Sequence, residues 1–432
     1  MASLNESQSL PRSWRCCVAL LLSLSFLMVG STQASRKLQT AQPQRRLQAH
    51  RDNTDTAMHA PSAQSYLVSD GSWVDCVPIE GQIAAHHPAL KDHIIKMRPS
   101  VPPNARSSLG ARSHPQLFAR EHGGCPDGYI PVQRMDPNSP RLRKEHPPQA
   151  PGPAPVDVAV HEYAVTTMPV SSGAYSGSAA VLSVNGPTVA NTREFSLSQL
   201  WIIDGSFKDT SLCTIEVGWQ TYPGRHTGDA DFAPHLFVYW TADHYNISGC
   251  YDLECPGFVQ VENSWVIGGA MPSYTTLEQL NNGEIAEVDI QVLYDSTDLV
   301  WWLFLNGVAI GYWPAALYPS TYLHGTANFL EWGGEVAIEK NNTAHSRTVM
   351  GSGAVPTAGF PLSAYQRNIT YADVVSGVTN MDANVKYLTE GQIRTDPSCY
   401  DIAVQLNNYA NWGTYFFFGG PGGNNVFCKG TP

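Results

Sequence analysis

Beyond residue 155 the apolar residues fall in short runs separated by clusters of Gly, Pro, Asn and Asp. The runs are Tyr163–Met168, Ala179–Val184, Leu200–Ile203, Ile215–Thr221, Leu236–Thr241 and Phe258–Val261. Glu287–Leu293, Val300–Leu305, Ala309–Trp313, Glu335–Ile338 and Tyr415–Phe418 continue the series. They are rich in Val, Ile, Phe, Tyr and Trp, which suit a pleated and packed surface. Many short strands with turn signals between them predict an all-β, antiparallel sandwich or barrel rather than βαβ units. No internal repeat of fixed period is present. Nine of the eleven tryptophans lie in this half, where core packing is the default for most of them.

The first part of the chain has another character. Arg12 and Arg15 precede an apolar run from Val18 to Val29, and Ser31-Thr32-Gln33-Ala34 offers small residues for cleavage. Residues 1–34 are thus expected to be a signal peptide, and the protein to be secreted. That run is short for a transmembrane helix, and every later apolar segment is interrupted, so no membrane association is expected after its removal. Residues 35–71 are polar and read as a flexible spacer. Residues 72–136 form a small cysteine-containing region with helical potential across Leu90–Met97. Residues 137–155 hold seven prolines in nineteen positions, which predicts an extended, protease-accessible linker and the domain boundary.

Charge sharpens this division. Residues 35–155 carry 15 Lys and Arg against 10 Asp and Glu, a net of +5. Residues 156–432 carry 9 against 26, a net of −17, which argues against a nucleic-acid partner. The basic part could dock on the acidic part through complementary charge. Removing Cys16 and Cys17 with the signal leaves seven cysteines, an odd number that fits an oxidising compartment with one thiol left over. Cys250 and Cys255 would clip a tight loop. Zinc fits poorly, because no second close cysteine pair or histidine cluster accompanies them. Asn246, Asn341 and Asn368 head glycosylation sequons usable in the secretory pathway.

Two segments place glutamate where strands are normally depleted in it: Thr214-Ile215-Glu216-Val217-Gly218-Trp219-Gln220 and Glu331-Trp332-Gly333-Gly334-Glu335. Alternation puts Glu216 with Thr214 and Gly218 on one face, and Ile215, Val217 and Trp219 on the other. Glu331, Gly333 and Glu335 share a face in a regular strand, so periodicity does not choose between the two acids, and a bulge at Gly333-Gly334 would upset even that. Spacing alone fits a plain arrangement, each glutamate on the wet face of a half-solvated sheet. It also fits two acids meeting in one cleft and dividing acid and base work.

These segments are where the chain resembles a known family, the neprosin family of plant secreted proteins, whose characterised members are glutamic peptidases. The likeness extends through Leu236–Asp243, Gly249–Gln260, Trp301-Trp302 and Gly311-Tyr312-Trp313-Pro314. Upstream, Val74-Asp75-Cys76-Val77, His87–His93 and Cys125-Pro126-Asp127-Gly128 look like the family's activation-peptide domain. The resemblance implies a catalytic β-sandwich over 156–432 behind a small mixed prodomain over 72–136. It implies Glu216 and Glu335 as the catalytic pair, no metal and no cofactor. It also implies an acid-active zymogen whose own prodomain blocks the groove in cis, cut near 137–155 and acting on peptides in the cell wall or apoplast. A monomer is expected. With Cys76–Cys125, Cys250–Cys255 and Cys399–Cys428 taken as pairs, Cys213 is left single and inert. Characterised relatives prefer cleavage after proline, for which Trp219, Tyr239 and Trp240 could line a pocket. Acidification would charge the eight histidines of residues 35–155 and neutralise carboxylates opposite, weakening the attraction. The alternative is an inactive cell-wall or carbohydrate-binding sandwich, since acidic aromatic grooves also suit sugars; a two-carboxyl glycoside hydrolase comes third.

Overall fold

The computed structural model describes residues 44–51, 57–103, 116–135, 161–169, 174–226, 232–272, 286–337, 345–374, 376–424 and 428. The expected signal peptide, the first part of the spacer, the 137–155 linker and Asn341 lie outside the described residues. Five described strands build the N-terminal part, a two-stranded pair and a three-stranded sheet. Strands β1 (His50–Arg51) and β2 (Ala57–Met58) pair with each other, and β3 (Gln64–Leu67), β4 (Trp73–Pro78) and β5 (Tyr129–Gln133) form the sheet in that order. The Cys76–Cys125 disulfide ties β4 to the loop after the short helix Leu117–His122.

Two expectations fail here. The spacer is structured from Gln44 where it is described: Arg46 bridges Ile94, Leu47 and Ala60 are buried, and β3 lies inside the stretch read as flexible. Its polar side chains find partners in the sheet, as in the contact of Ser65 Oγ with Asp75 Oδ1 at 2.5 Å. The helix expected over Leu90–Met97 does not form. Asp92 takes φ 62°, and the chain beyond it runs extended, with Ile95 N donating to Arg45 O at 2.9 Å and Lys96 N to the Tyr312 hydroxyl at 2.9 Å. Tertiary partners outweigh a weak local preference.

The rest is an antiparallel β-sandwich, as the run pattern predicts. One sheet has six strands in the order β10-β9-β8-β15-β6-β18. These are β6 (His161–Met168), β8 (Phe195–Asp204), β9 (Cys213–Thr221), β10 (His235–Thr241), β15 (Phe329–Ala337) and β18 (Ile393–Arg394). The other runs β11-β14-β13-β12-β7-β16-β20-β19, with β17 beside β16. Its members are β7 (Tyr175–Ser183), β11 (Val259–Gln260), β12 (Glu287–Asp295), β13 (Val300–Leu305), β14 (Val308–Pro314), β16 (Ala364–Asp373), β17 (Met381–Asp382), β19 (Asp401–Val404) and β20 (Phe416–Gly419).

Alternation sends Leu200, Ile202, Ile215, Val217, Trp219, Val238, Trp240, Leu330 and Trp332 of the six-stranded sheet into the core between the sheets. Polar ties cross that core: Trp219 Nε1 donates to Ser183 O at 2.8 Å and Trp332 Nε1 to Ser178 Oγ at 3.1 Å. The Cys250–Cys255 and Cys399–Cys428 disulfides are formed, and Cys213 is a buried free thiol on the core side, its pKa pushed up to about 12 by burial. Among the described residues no helix is long and apolar enough to cross a membrane.

The N-terminal part grips the connection between β10 and β11, the β11–β14 edge and the segment just after β11. Gln82 and Gln260 exchange bonds, Nε2 of Gln82 to Gln260 O at 3.0 Å and Gln260 N to Oε1 of Gln82 at 2.8 Å. Gln116 does the same with Val266, and Cys125 with Asn263. His59 meets Leu253 O at 3.2 Å and His93 meets the Tyr312 hydroxyl at 2.9 Å. Lys96 and Asp298 form an ion pair at 2.8 Å across it. Neutral hydrogen bonds carry more of this interface than the charge asymmetry of the sequence suggests.

Candidate active site

The outer face of the six-stranded sheet carries a set of residues that a surface sheet would not. Register arranges them in three rows across β10, β9, β8, β15 and β6. One row reads Tyr239, Glu216, Trp201, Glu331, Thr167; the next Phe237, Gly218, Gln199, Gly333, Val165; the third His235, Gln220, Leu197, Glu335, Tyr163. Pairing of β15 with both neighbours is unbroken from Leu330 to Ala337, so Gly333-Gly334 introduces no bulge and Glu331, Gly333 and Glu335 do share a face.

The middle row is floored by two glycines that must be glycine. A Cβ on Gly218 would lie 2.0 Å from Ser198 O, and one on Gly333 would lie 2.4 Å from Ala164 O, with Gly333 at φ +152°. Gln199 therefore has no side chain beside it on either neighbouring strand, with Glu216 and Glu335 on opposite diagonals. Glu331 is level with Glu216 but the Trp201 position lies between them.

All three glutamates are 0 % exposed, which overturns the wet-face arrangement. A buried carboxyl needs partners, and each of the two predicted acids has its own set. Glu216 Oε1 accepts from Thr214 Oγ1 at 2.9 Å and from the Tyr245 hydroxyl. Glu335 Oε1 meets His161 Nδ1 at 2.5 Å, and its Oε2 accepts from Gln199 Nε2 at 3.4 Å. Tyr163 also bonds Glu335 through its hydroxyl. The phenols report how the acids converge. Burial first, then the charges of Glu335, Glu216 and Glu331, raise the Tyr163 pKa well above its ordinary value. Tyr251 is raised chiefly by burial, with Glu335 and Glu216 adding to it. Tyr245 is raised by burial and then by Glu216. These hydroxyls keep their protons; that of Tyr245 donates to Glu216, whereas that of Tyr251 accepts from Gln220 Nε2 at 3.4 Å.

Sequence expectations for the pocket fare unevenly. Tyr239 does lie on the glutamate face, against Tyr245 and Tyr251 at 5.7 and 4.9 Å between ring centroids. Trp219 and Trp240 do not. Both point into the core, where Trp240 packs against Tyr318 and Gly257. Strand alternation decides this, since each is an odd number of residues from an outward glutamate or tyrosine. His161, Tyr163, Gln199 and Tyr245 escape the sequence reading, because strand pairing brings them in from far along the chain. A glutamine mid-strand in a run of serines was the signal for Gln199. Asn246 is exposed and Asn368 half-buried in an irregularity of β16. As for a metal, His345, Cys399 and Cys428 offer donors within 4.8 Å of one another, but both sulfurs are committed to the disulfide.

Residues 192–421 match the profile of the family described as Neprosin, which is more than half of the chain, and residues 65–166 match Neprosin activation peptide. The chain belongs to the neprosin family. Its neprosin domain stands behind an activation peptide, the make-up of a peptidase zymogen, and the activation-peptide match runs on into β6. Among solved structures, it is similar to scytalido-glutamic peptidase with a peptide-based transition-state analogue, at 12 % identity over 60 % of this chain and 97 % of that one, TM-score 0.31. SCP-B of the Eqolisin family, with the tripeptide Ala-Ile-His, follows at 10 % identity over 60 % and 96 %, TM-score 0.26. CG-16, a homodimeric agglutinin from chicken liver, gives 8 % over 40 % and 94 %, TM-score 0.20. Likenesses this distant carry no argument about chemistry.

Proposed function

We propose that this neprosin-family protein is a secreted acid endopeptidase, made as a zymogen, in which Glu216 and Glu335 activate water against a peptide bond. The observation that supports this most is the pair of fully buried carboxyls set diagonally across Gln199 on one sheet face, each with its own donors. One ionised glutamate takes a proton from water as the oxygen attacks the scissile carbonyl. The other, protonated, donates to the developing oxyanion and then gives a proton to the leaving amine. This division of work needs one of the two carboxyls to carry a proton while the other does not. A proline ring suits the wall of Trp201, Tyr239 and Tyr251, which supports a preference for cleavage after proline.

The site is closed as it stands. Tyr245 and Tyr251 come from the β10–β11 connection, which the prodomain meets at Leu253, while its other contacts are to Gln260 of β11 and to Asn263 and Val266 just beyond it. Two histidines in this contact favour acid release. Burial pushes His59 and His93 down to about 4, with Lys96 adding to the effect on His93. Their docked values lie below the free value of about 6.5, so docking is fully stabilised above that pH and weakens as pH falls toward 4. The test is incubation of the purified precursor at about pH 3 to 4, where both carboxyl and imidazole groups titrate. Self-processing to a shorter band, lost in Glu216→Gln and Glu335→Gln, is the expected result. A precursor that stays whole while binding glycans would instead mark a carbohydrate-binding protein.

A further inference from the structure

One wall of the glutamate face is built from a loop with an arginine behind it. Tyr251 lies in the loop 249–255, which the Cys250–Cys255 disulfide closes. Its ring joins Trp201, Phe237, Tyr239 and Tyr245 in one buried cluster. It stands 4.9 Å from Tyr239 and 5.9 Å from Phe237 between ring centroids. Tyr239 is the strand partner of Glu216, so this cluster borders the carboxyl directly. Over the Tyr251 ring lies the Arg225 guanidinium, its Cζ 4.0 Å from the centroid.

Arg225 ends the short turn Pro223–Arg225 that follows β9, the strand of Glu216, and it is buried. Its Nη2 donates to Asp252 Oδ2 at 2.7 Å and to Glu254 Oε1 at 2.6 Å. Asp252 is pinned in turn to β10: its Oδ1 accepts from Val238 N at 3.1 Å, and its own N donates to Val238 O at 2.8 Å. A planar guanidinium that stacks on a ring while holding two carboxyls fixes the ring's direction as well as its position. The ties on this loop differ in what processing does to them. His59 of the N-terminal part meets Leu253 O at 3.2 Å, a contact that a cut at 137–155 would release. Arg225, Val238 and the disulfide lie beyond that cut and stay with the loop.

Resting on the peptidase reading above, the geometry points to Arg225 as the positioning residue that holds Tyr251 as a fixed wall of the substrate pocket once the N-terminal part has left. The substrate this wall selects is a peptide with a compact apolar group before the cut, which packs on the Tyr251 and Tyr239 rings. Arg225 touches Tyr251 and not the substrate. With the ring already held in one place, the incoming peptide does not have to order it. The arginine therefore acts on binding and selectivity rather than on the proton transfers of Glu216 and Glu335.

The test is steady-state kinetics of the acid-processed full-length protein on two peptides that differ only in proline or alanine before the cut. Parent, Arg225→Lys, Tyr251→Leu and the double variant are compared. Arg225→Lys keeps a charge beside Asp252 and Glu254 but loses the planar group over the ring. It should raise KM for the better peptide about tenfold, keep kcat within about threefold, and narrow the difference between the two peptides. Tyr251→Leu should do the same. Adding Arg225→Lys to it should then change KM by less than about twofold, because the ring through which the arginine acts is gone. An arginine needed for stability alone would lower thermal unfolding and leave KM and selectivity unmoved. That result, or KM effects that multiply in the double variant, would overturn the proposal. Should Arg225→Lys not fold, Glu254→Gln loosens the same clamp and takes its place, with KM up about threefold and no further rise beside Tyr251→Leu; an unmoved KM again overturns it. A parent that cuts neither peptide removes the peptidase reading and this proposal with it, whereas a parent that cuts them and variants that behave like it remove this proposal alone.

Discussion

The two faces of the six-stranded sheet come from the same strands, taken at alternate residues, and they solve opposite problems. The inner face buries Leu200, Val217, Trp219, Trp240 and Trp332 against the second sheet. The outer face buries Glu216, Glu331, Glu335, Gln199 and a set of phenols under a loop. An apolar face is stabilised by burial itself. A carboxyl-lined face is stabilised only as far as each acid finds a donor, and its burial costs free energy that the rest of the fold offsets. Stability and chemistry are thus separated by one residue of register, and a single shift would exchange them.

That separation can be broken from either side. On the inner face, Trp332→Ala removes a fully buried indole and its bond to Ser178, and should cost about 3–5 kcal/mol in urea unfolding, with activity lost along with the fold. On the outer face, Tyr245→Phe removes one donor from Glu216 and should lower kcat about tenfold, while thermal unfolding moves by no more than a few degrees.

A smaller effect tests an acid that breaks the pattern. Glu162 points inward from β6, and its partner is His345. The Glu162 pKa is raised by burial, and His345 is raised by its bond to Glu162. Both folded values lie above the ordinary ones, so the pair's contribution is fully present in acid and fades as pH rises beyond them. The parent should therefore lose melting temperature between about pH 6 and 9, and His345→Gln should lose less over that window. An equal decline in both would remove this pair from the account.

The strands that read clearly in the sequence are those whose apolar residues alternate or cluster, such as β9, β10, β12 and β13. β16 does not read as a strand because it carries Gln366, Arg367 and Asn368 at its centre. In the fold Arg367 forms two 2.7 Å bonds with Glu287, and Gln366 donates to Ser198 and to the Gln199 and Gly333 carbonyls. Those partners sit on strands distant in sequence, so no local pattern announces them. The same holds at the site. Glu216 and Glu335 stand out as acids misplaced on strands, whereas His161 and Tyr245 matter only through the neighbours that folding gives them.

The central claim is that Glu216 and Glu335, and not Glu331, form the working pair. Peptide hydrolysis by the acid-processed protein, measured beside Glu216→Gln, Glu335→Gln and Glu331→Gln, tests it most directly. Each of the first two should lower kcat by at least about a thousandfold in a folded protein. Glu331→Gln should retain activity within about tenfold, because Trp201 stands between Glu331 and Glu216 in their row. Full activity in either of the first two, or a loss confined to Glu331→Gln, would contradict the account.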